Sequence, residues 1–301
     1  MSGERLAPDL PRVYRIDEDH WQATFDEQLQ LQATLALEAG GLILLPRLAF
    51  RVSDAEQRTL SPGAVRPGSK HVSFDLRTGR VRGATLQSEP AETLRVALQR
   101  YAEQSLALVR ALLPRYAAVL EVARTSFRPF EASGRVSSWR KDDRRLHVDA
   151  FPSSPNQGRR LLRVFSNVDP DGGERVWKIG EPFDVVAGRF LPSIRRRWPG
   201  QARILHALRI TRGLRSEYDH IMLGLHDRMK ADGRYQENAA STQLRFPAGS
   251  SWIVQTDAVS HAALSGRCMF EQTFLLPVDG MLHPDRSPLR ILESLAGRRL
   301  V

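Results

Sequence analysis

The chain has 301 residues, 44 of them basic and 34 acidic, which gives a formal net charge of +10 at pH 7. Its 42% hydrophobic and 26% charged content suffices for a buried core and excludes a wholly disordered chain. The most apolar run, residues 41–45, ends at Pro46, far short of the roughly 20 residues that a bilayer-crossing helix needs. The excess of arginine calls for an anionic partner, whether nucleic acid, an acidic membrane surface or a phosphorylated substrate.

Residues 1–8 hold no apolar stretch and no cleavage pattern, so no secretory signal is visible. The single cysteine, Cys268, excludes an intramolecular disulfide framework and any CxxC metal or redox site. Both features favour the reducing cytoplasm. Apolar residues recur near helical spacing over 21–39 (Phe25, Leu29, Leu31, Leu35, Leu37), and Gly40-Gly41 follows as a stop. A strand is predicted over 42–45. A second helix is predicted over 91–109, which is rich in good helix formers.

Past Trp139 the texture turns to short β-rich runs. Residues 161–168 and 175–179 flank Asp169-Pro170-Asp171-Gly172-Gly173 and read as a hairpin-like pair. Residues 251–255, 261–264 and 268–276 are three more strands, the last two joined by a tight turn at Ser265-Gly266-Arg267. Between the two β groups lies an arginine-rich helical insertion, 189–234, with eleven basic against four acidic residues. Residues 284–301 form a short basic amphipathic helix. The expected architecture is one domain: a helical buttress over 1–138, a mainly antiparallel β-barrel or sandwich over 139–280, and helices packed outside it.

The most informative string is Arg145-Leu146-His147-Val148-Asp149-Ala150-Phe151-Pro152. Residues two apart on a strand project to one face, so His147 and Asp149 converge on a point inside the barrel. A second imidazole from a distant strand would complete a two-His-one-carboxylate facial triad, which leaves open positions on Fe(II). His261 fits that place. Arg267, near the next turn, is the leading candidate to grip a cosubstrate carboxylate in bidentate fashion; a solvated turn arginine is the plainer reading. His206, His220, His226 and His283 are not read as ligands. His226 and Asp227 are adjacent on a helix, so they point about 100° apart. His71 has no plausible partner. Trp139, Trp177 and Trp252 read as core aromatics.

The HxD motif, the run Leu161–Val168 followed by Asp169–Glu174, and the distant histidine together resemble the 2-oxoglutarate/Fe(II)-dependent dioxygenases. In particular, residues 147–174, with Phe151-Pro152-Ser153-Ser154-Pro155-Asn156-Gln157-Gly158-Arg159-Arg160, resemble the Kdo hydroxylases, and the likeness extends through residues 225–232 to 271–274. That resemblance implies an α+β fold with a double-stranded β-helix (jelly-roll, cupin-like) core and flanking helices. It implies His147, Asp149 and His261 as the iron ligands, with Fe(II), 2-oxoglutarate and O₂ as cofactors and ascorbate in support. It also implies hydroxylation of the outer Kdo (3-deoxy-D-manno-octulosonic acid) sugar of a lipid A precursor at carbon 3, giving Ko, succinate and CO₂.

Arg267 stands closer to His261 than the arginine of many such dioxygenases, so Arg163 is kept as a rival 2-oxoglutarate contact. Asn156, Gln157, Arg159 and Arg160 would bind the sugar acid, or form only a polar loop. The basic insertion is either a solvated face or a border of the active-site mouth. The last helix either lies on the anionic inner face of the cytoplasmic membrane or packs on the barrel. Two other readings stay open: a hydroxylase of another polyanion, and a non-catalytic metal-containing barrel that binds an anionic glycolipid. Nucleic acid is not expected, because the basic segments lack the interleaved aromatics that stack bases.

Overall fold

The computed structural model describes residues 13–85, 88–134 and 138–301. Residues 1–8, in which no secretory signal is read, lie outside them. Eleven strands form two sheets among the described residues: β1 (Val13–Arg15), β2 (Leu42–Leu45), β3 (Val72–Asp75), β4 (Arg80–Arg82), β5 (Glu121–Arg128), β6 (Arg160–Asn167), β7 (Arg175–Ile179), β8 (Thr242–Phe246), β9 (Ser251–Gln255), β10 (His261–Ser265) and β11 (Met269–Leu276). The large sheet runs β1-β2-β9-β6-β11-β5-β3-β4 and the small one β10-β7-β8. All pairings are antiparallel except β1 with β2.

Two apolar clusters bury the two faces of the large sheet. Between the sheets, Leu42, Phe165, Trp252 and Met269 meet Trp177, Ile179, Phe246 and Ala263. On the outer face, Leu162, Val164, Ile253 and Phe270 pack against the helices Glu27–Glu38 and Ser88–Leu112. Tyr101, from the longer helix, is fully buried there and donates its hydroxyl to the carbonyl of Val164 at 3.1 Å. Every residue of β6 is therefore buried, which erases the polar–apolar alternation of a half-exposed strand. This is the α+β jelly-roll.

Three expectations change. The first third is less a helical buttress than a share of the barrel, since it supplies β1 to β5, five strands of the large sheet. The pair 161–168 and 175–179 is not a hairpin: β6 lies in the large sheet and β7 in the small one, so the Asp169–Gly173 loop crosses between layers. The turn after β10 does the same. Gly266 holds φ at +101°, and a Cβ there would come within 2.7 Å of the Arg175 backbone, so only glycine lets the chain pass between the sheets. The first helix starts at Glu27 rather than near residue 21, because Asp26 caps it by accepting from the amide of Leu29.

The C-terminal helix, Pro288–Ala296, packs on the body of the protein: Leu289, Leu292 and Leu300 are all buried. Arg290 and Arg299 pair with Glu293, and Arg298 with Glu217. Its apolar face is thus occupied, contrary to the bilayer-anchor expectation. No helix among the described residues is long and apolar enough to cross a membrane. Leu292→Ala should destabilise the protein by about 2–5 kcal/mol in urea unfolding. Leu295→Ala, at a half-exposed position, should change it by less than about 0.5 kcal/mol.

Candidate active site

Residues 146–149 are extended rather than part of a named strand. Leu146 and Val148 sink fully into the core, which turns His147 and Asp149 to the opposite side. The segment is pinned to the start of β10. The amide of His147 donates to the carbonyl of His261 at 3.0 Å, the amide of His261 donates to the carbonyl of His147 at 2.9 Å, and the amide of Asp149 donates to the carbonyl of Thr256 at 2.9 Å. The two histidines are thus direct antiparallel partners. Gln236 clamps Leu146 from behind, accepting from its amide at 2.7 Å and donating to its carbonyl at 3.0 Å.

One ligand atom from each of His147, Asp149 and His261 lies within 4.8 Å of the others. Nδ1 of His147 donates to the carbonyl of Arg145 at 2.7 Å, and Nδ1 of His261 donates to Val259 at 2.8 Å. These bonds fix the tautomer and leave both Nε2 lone pairs directed at the carboxylate, at 3.7 and 3.9 Å from Asp149. Burial, reinforced by the neighbouring imidazole, holds His147 well below its ordinary pKa, and burial lowers His261 as well. Burial opposes ionisation of Asp149, but Arg163 and the two histidines outweigh it and hold the carboxyl far below the usual range. Two neutral imidazoles and one carboxylate are the donor set that a divalent first-row metal takes. The Oδ2 of Asp149 has no hydrogen bond despite its burial, so the residues present fit such an ion.

Beside the triad, Nη1 of Arg163 lies 3.1 Å from Asp149 and 3.3 Å from Glu271, and its Nε is buried with no hydrogen bond. Nε of Arg128 donates to Glu271 at 2.8 Å. These residues front a cavity of about 780 Å³ on the inner face of β3, β5 and β11, bordered by Phe151, Pro152, Asn156, Arg124 and Arg212.

A family model described as 3-deoxy-D-manno-oct-2-ulosonic acid (Kdo) hydroxylase matches residues 20–299. The chain belongs to the Kdo hydroxylase family. Among solved structures it is similar to the Kdo hydroxylase KdoO, a non-heme Fe(II) α-ketoglutarate-dependent dioxygenase. The complex of that protein with α-ketoglutarate and Fe(III) superposes with a TM-score of 0.93, at 45% identity over 96% of this chain and 97% of that one. Its cobalt(II) complex gives 0.94 and its complex with succinate and Fe(III) 0.92, at the same identity and coverage. No curated protein matches. Like those relatives, this Kdo hydroxylase family member is an enzyme of the Fe(II)/2-oxoglutarate class.

Of the residues expected at the site, Arg163 is in place and Arg267 is not. Arg267 is held by Asp169 at 3.2 Å and by Asp171 in the crossing loop. The turn at Gly266 leads the chain away from the triad toward that loop, so the plainer reading of Arg267 as a turn arginine holds. Asn156 borders the cavity, although its side-chain amide is engaged by the carbonyl of Arg159. Gln157 faces a separate surface cleft, and Arg159 pairs with Glu121 at 2.8 Å. Arg160 is buried on the face of β6 opposite Arg163, in an ion pair with Asp257 at 2.7 Å, and cannot reach a substrate.

His226, not read as a ligand, bonds Asp227 and packs its ring edge-on to His147. Trp177 and Trp252 are core residues, Trp177 stacking on His261, whereas Trp139 is only half-buried beneath Arg140. Sequence reasoning missed Arg128, Glu271 and His71. His71 borders the cavity, and burial with the nearby Arg128 lowers its pKa to about 4. The signal available was the alternation of Arg124, Ser126 and Arg128 along β5. Arg160→Ala should cost about 3–5 kcal/mol in denaturant unfolding, since it strands a buried carboxylate, and should leave the KM for substrate unchanged in enzyme that remains folded.

Proposed function

We propose that this enzyme uses Fe(II), 2-oxoglutarate and O₂ to hydroxylate the outer Kdo sugar of a lipid A precursor at carbon 3, giving Ko. When bound, the iron with 2-oxoglutarate and O₂ supplies the oxidising power that converts C–H to C–OH, with succinate and CO₂ as co-products. The observation that carries the reading is the buried His147–Asp149–His261 cluster, with both Nε2 atoms freed, in a chain of the Kdo hydroxylase family.

His147, Asp149 and His261 would hold the iron. The carbonyls of Arg145 and Val259 orient the two imidazoles, and Arg163 orients the carboxylate. The buried Arg163 and the half-buried Arg128 face the half-buried Asp149 and the buried Glu271, two cations against two anions. A divalent ion would add two charges there, and the two carboxylates of 2-oxoglutarate would restore balance. Arg163, with its unpaired Nε, is the cosubstrate contact. Arg124 and Arg212 would meet the acidic groups of the sugar, with Asn156 beside them, while Phe151, 5.4 Å from the Arg163 guanidinium, shields that charge from water. A structural metal site would enclose its ion with a fourth protein ligand; among the described residues this cluster has three. Such a substrate places the enzyme peripherally at the inner face of the cytoplasmic membrane.

Purified protein with Fe(II), ascorbate and 2-oxoglutarate should release succinate only when a Kdo-bearing lipid is added, and the lipid should gain the mass of one oxygen. His147→Ala and Asp149→Ala should abolish both this product and the Co(II) absorption spectrum of the loaded protein. Arg163→Ala should raise the KM for 2-oxoglutarate roughly 30-fold or more, whereas Arg267→Ala should leave it within about twofold. Equal effects of the two arginine variants would overturn the assignment of Arg163.

A further inference from the structure

The segment 194–215 is a surface both basic and apolar. It carries seven arginines and no acidic residue, and among the described residues none of the seven lies within salt-bridge distance of a carboxylate. Between the arginines stand Trp198, Ile204, Leu208, Ile210 and Leu214, all exposed, with Leu208 at 65% the most exposed large apolar residue described. The short helix Gln201–Ala207 is left through Arg209 in the left-handed region (φ 55°), a costly geometry for a non-glycine residue, and the apolar residues on either side of it both face solvent. Exposed apolar groups in such density are ordinarily hidden or used.

We infer that this segment is the docking surface for an anionic lipid bilayer. Arginines that lack carboxylate partners complement a surface of lipid phosphates, and each contributes roughly a fivefold gain in partitioning near such a surface. Trp198 and the exposed leucines and isoleucines are of the length and polarity that settle at the headgroup boundary. The segment holds a single Phe, Tyr or Trp, which is too few for a base-stacking platform. Its position adds a functional reason. The amide of Arg212 donates to the carbonyl of Ser153 at 2.9 Å, and Arg215 donates to Pro152, so the segment is tied to the loop that borders the active-site cavity. A surface cleft of about 910 Å³, lined by Arg196, Arg197, Trp198 and Arg203 on one side and by Glu217 and Arg298 on the other, opens beside it and offers room for a headgroup. Docked this way, the cavity mouth sits beside the bilayer, where the sugar of a membrane-borne glycolipid projects. The inference deepens the reading of the substrate given above and rests on it for the role of the docked state, while binding itself does not depend on that reading.

The test is cosedimentation of the metal-free full chain, without 2-oxoglutarate, with vesicles of phosphatidylglycerol mixed with phosphatidylcholine and with vesicles of phosphatidylcholine alone. The protein should sediment with the anionic vesicles only, and less as salt is raised. Arg195→Gln/Arg196→Gln should weaken partitioning roughly 25-fold, about fivefold for each arginine. Leu208→Ser/Ile210→Ser should weaken it at least tenfold with an unchanged thermal midpoint. Both double variants should turn over a soluble, deacylated Kdo sugar at the wild-type rate and lose rate only on vesicle-borne substrate. Sedimentation equal in wild type and variants, absence of binding to anionic vesicles, or binding of single-stranded DNA in place of vesicles would each overturn the proposal. Vesicle binding that persists in a protein unable to hydroxylate Kdo would instead overturn the substrate reading alone.

Discussion

The site depends on the pair of reciprocal backbone hydrogen bonds between His147 and His261. These bonds set two distant segments in a register where both imidazoles emerge on the same side, and the period of two then delivers Asp149 to the same point. The surrounding residues secure that register. Gln236 holds the backbone of Leu146 from the opposite direction. Gly180, whose amide donates to Ser260, permits the close approach of β7, since a Cβ there would stand 2.9 Å from the Ser260 hydroxyl. The triad is therefore a property of sheet register rather than of a flexible loop.

Charge is handled differently in the interior and at the surface. Inside, Arg163 and Arg128 face Asp149 and Glu271, and Arg160 faces Asp257, whereas the buried Arg175 is held by the carbonyl of Gly266. Such pairs add little net stability but are costly to break, which makes them positional constraints more than sources of stability. The C-terminal arginines likewise find Glu217 and Glu293. The arginines of residues 194–215 have no such carboxylates. Seven arginines are thereby left without a carboxylate on one surface, next to the cavity mouth.

A good deal of this was legible in the sequence. The HxD string, the strands 161–168, 251–255 and 268–276, and the helix over 91–109 reappear with bounds shifted by a few residues. The triad was readable because its chemistry demands particular residue types at a fixed spacing. The short strands β1, β3 and β4 were not readable, since three or four residues carry too little periodicity to stand out from loop. The crossing at Asp169–Gly173 was misread as a hairpin because turn residues report that the chain bends, and not which sheet the next strand joins.

The sequence by itself determined the residue types of the candidate metal-ligand set, the family and the location of the excess positive charge. All three are written in residue identity and local spacing. Only the tertiary structure decided which arginine lies beside the triad. Arg163 and Arg160 lie on one strand, yet odd and even positions face opposite sides, so one enters the barrel and the other is locked to Asp257. Arg267 follows the strand that opens with His261, yet the turn at Gly266 carries it to Asp169 and Asp171. The terminal helix and the insertion are both basic and apolar in sequence. Packing occupies the apolar face of the first and leaves that of the second exposed, a difference set by neighbours in space that no local pattern encodes.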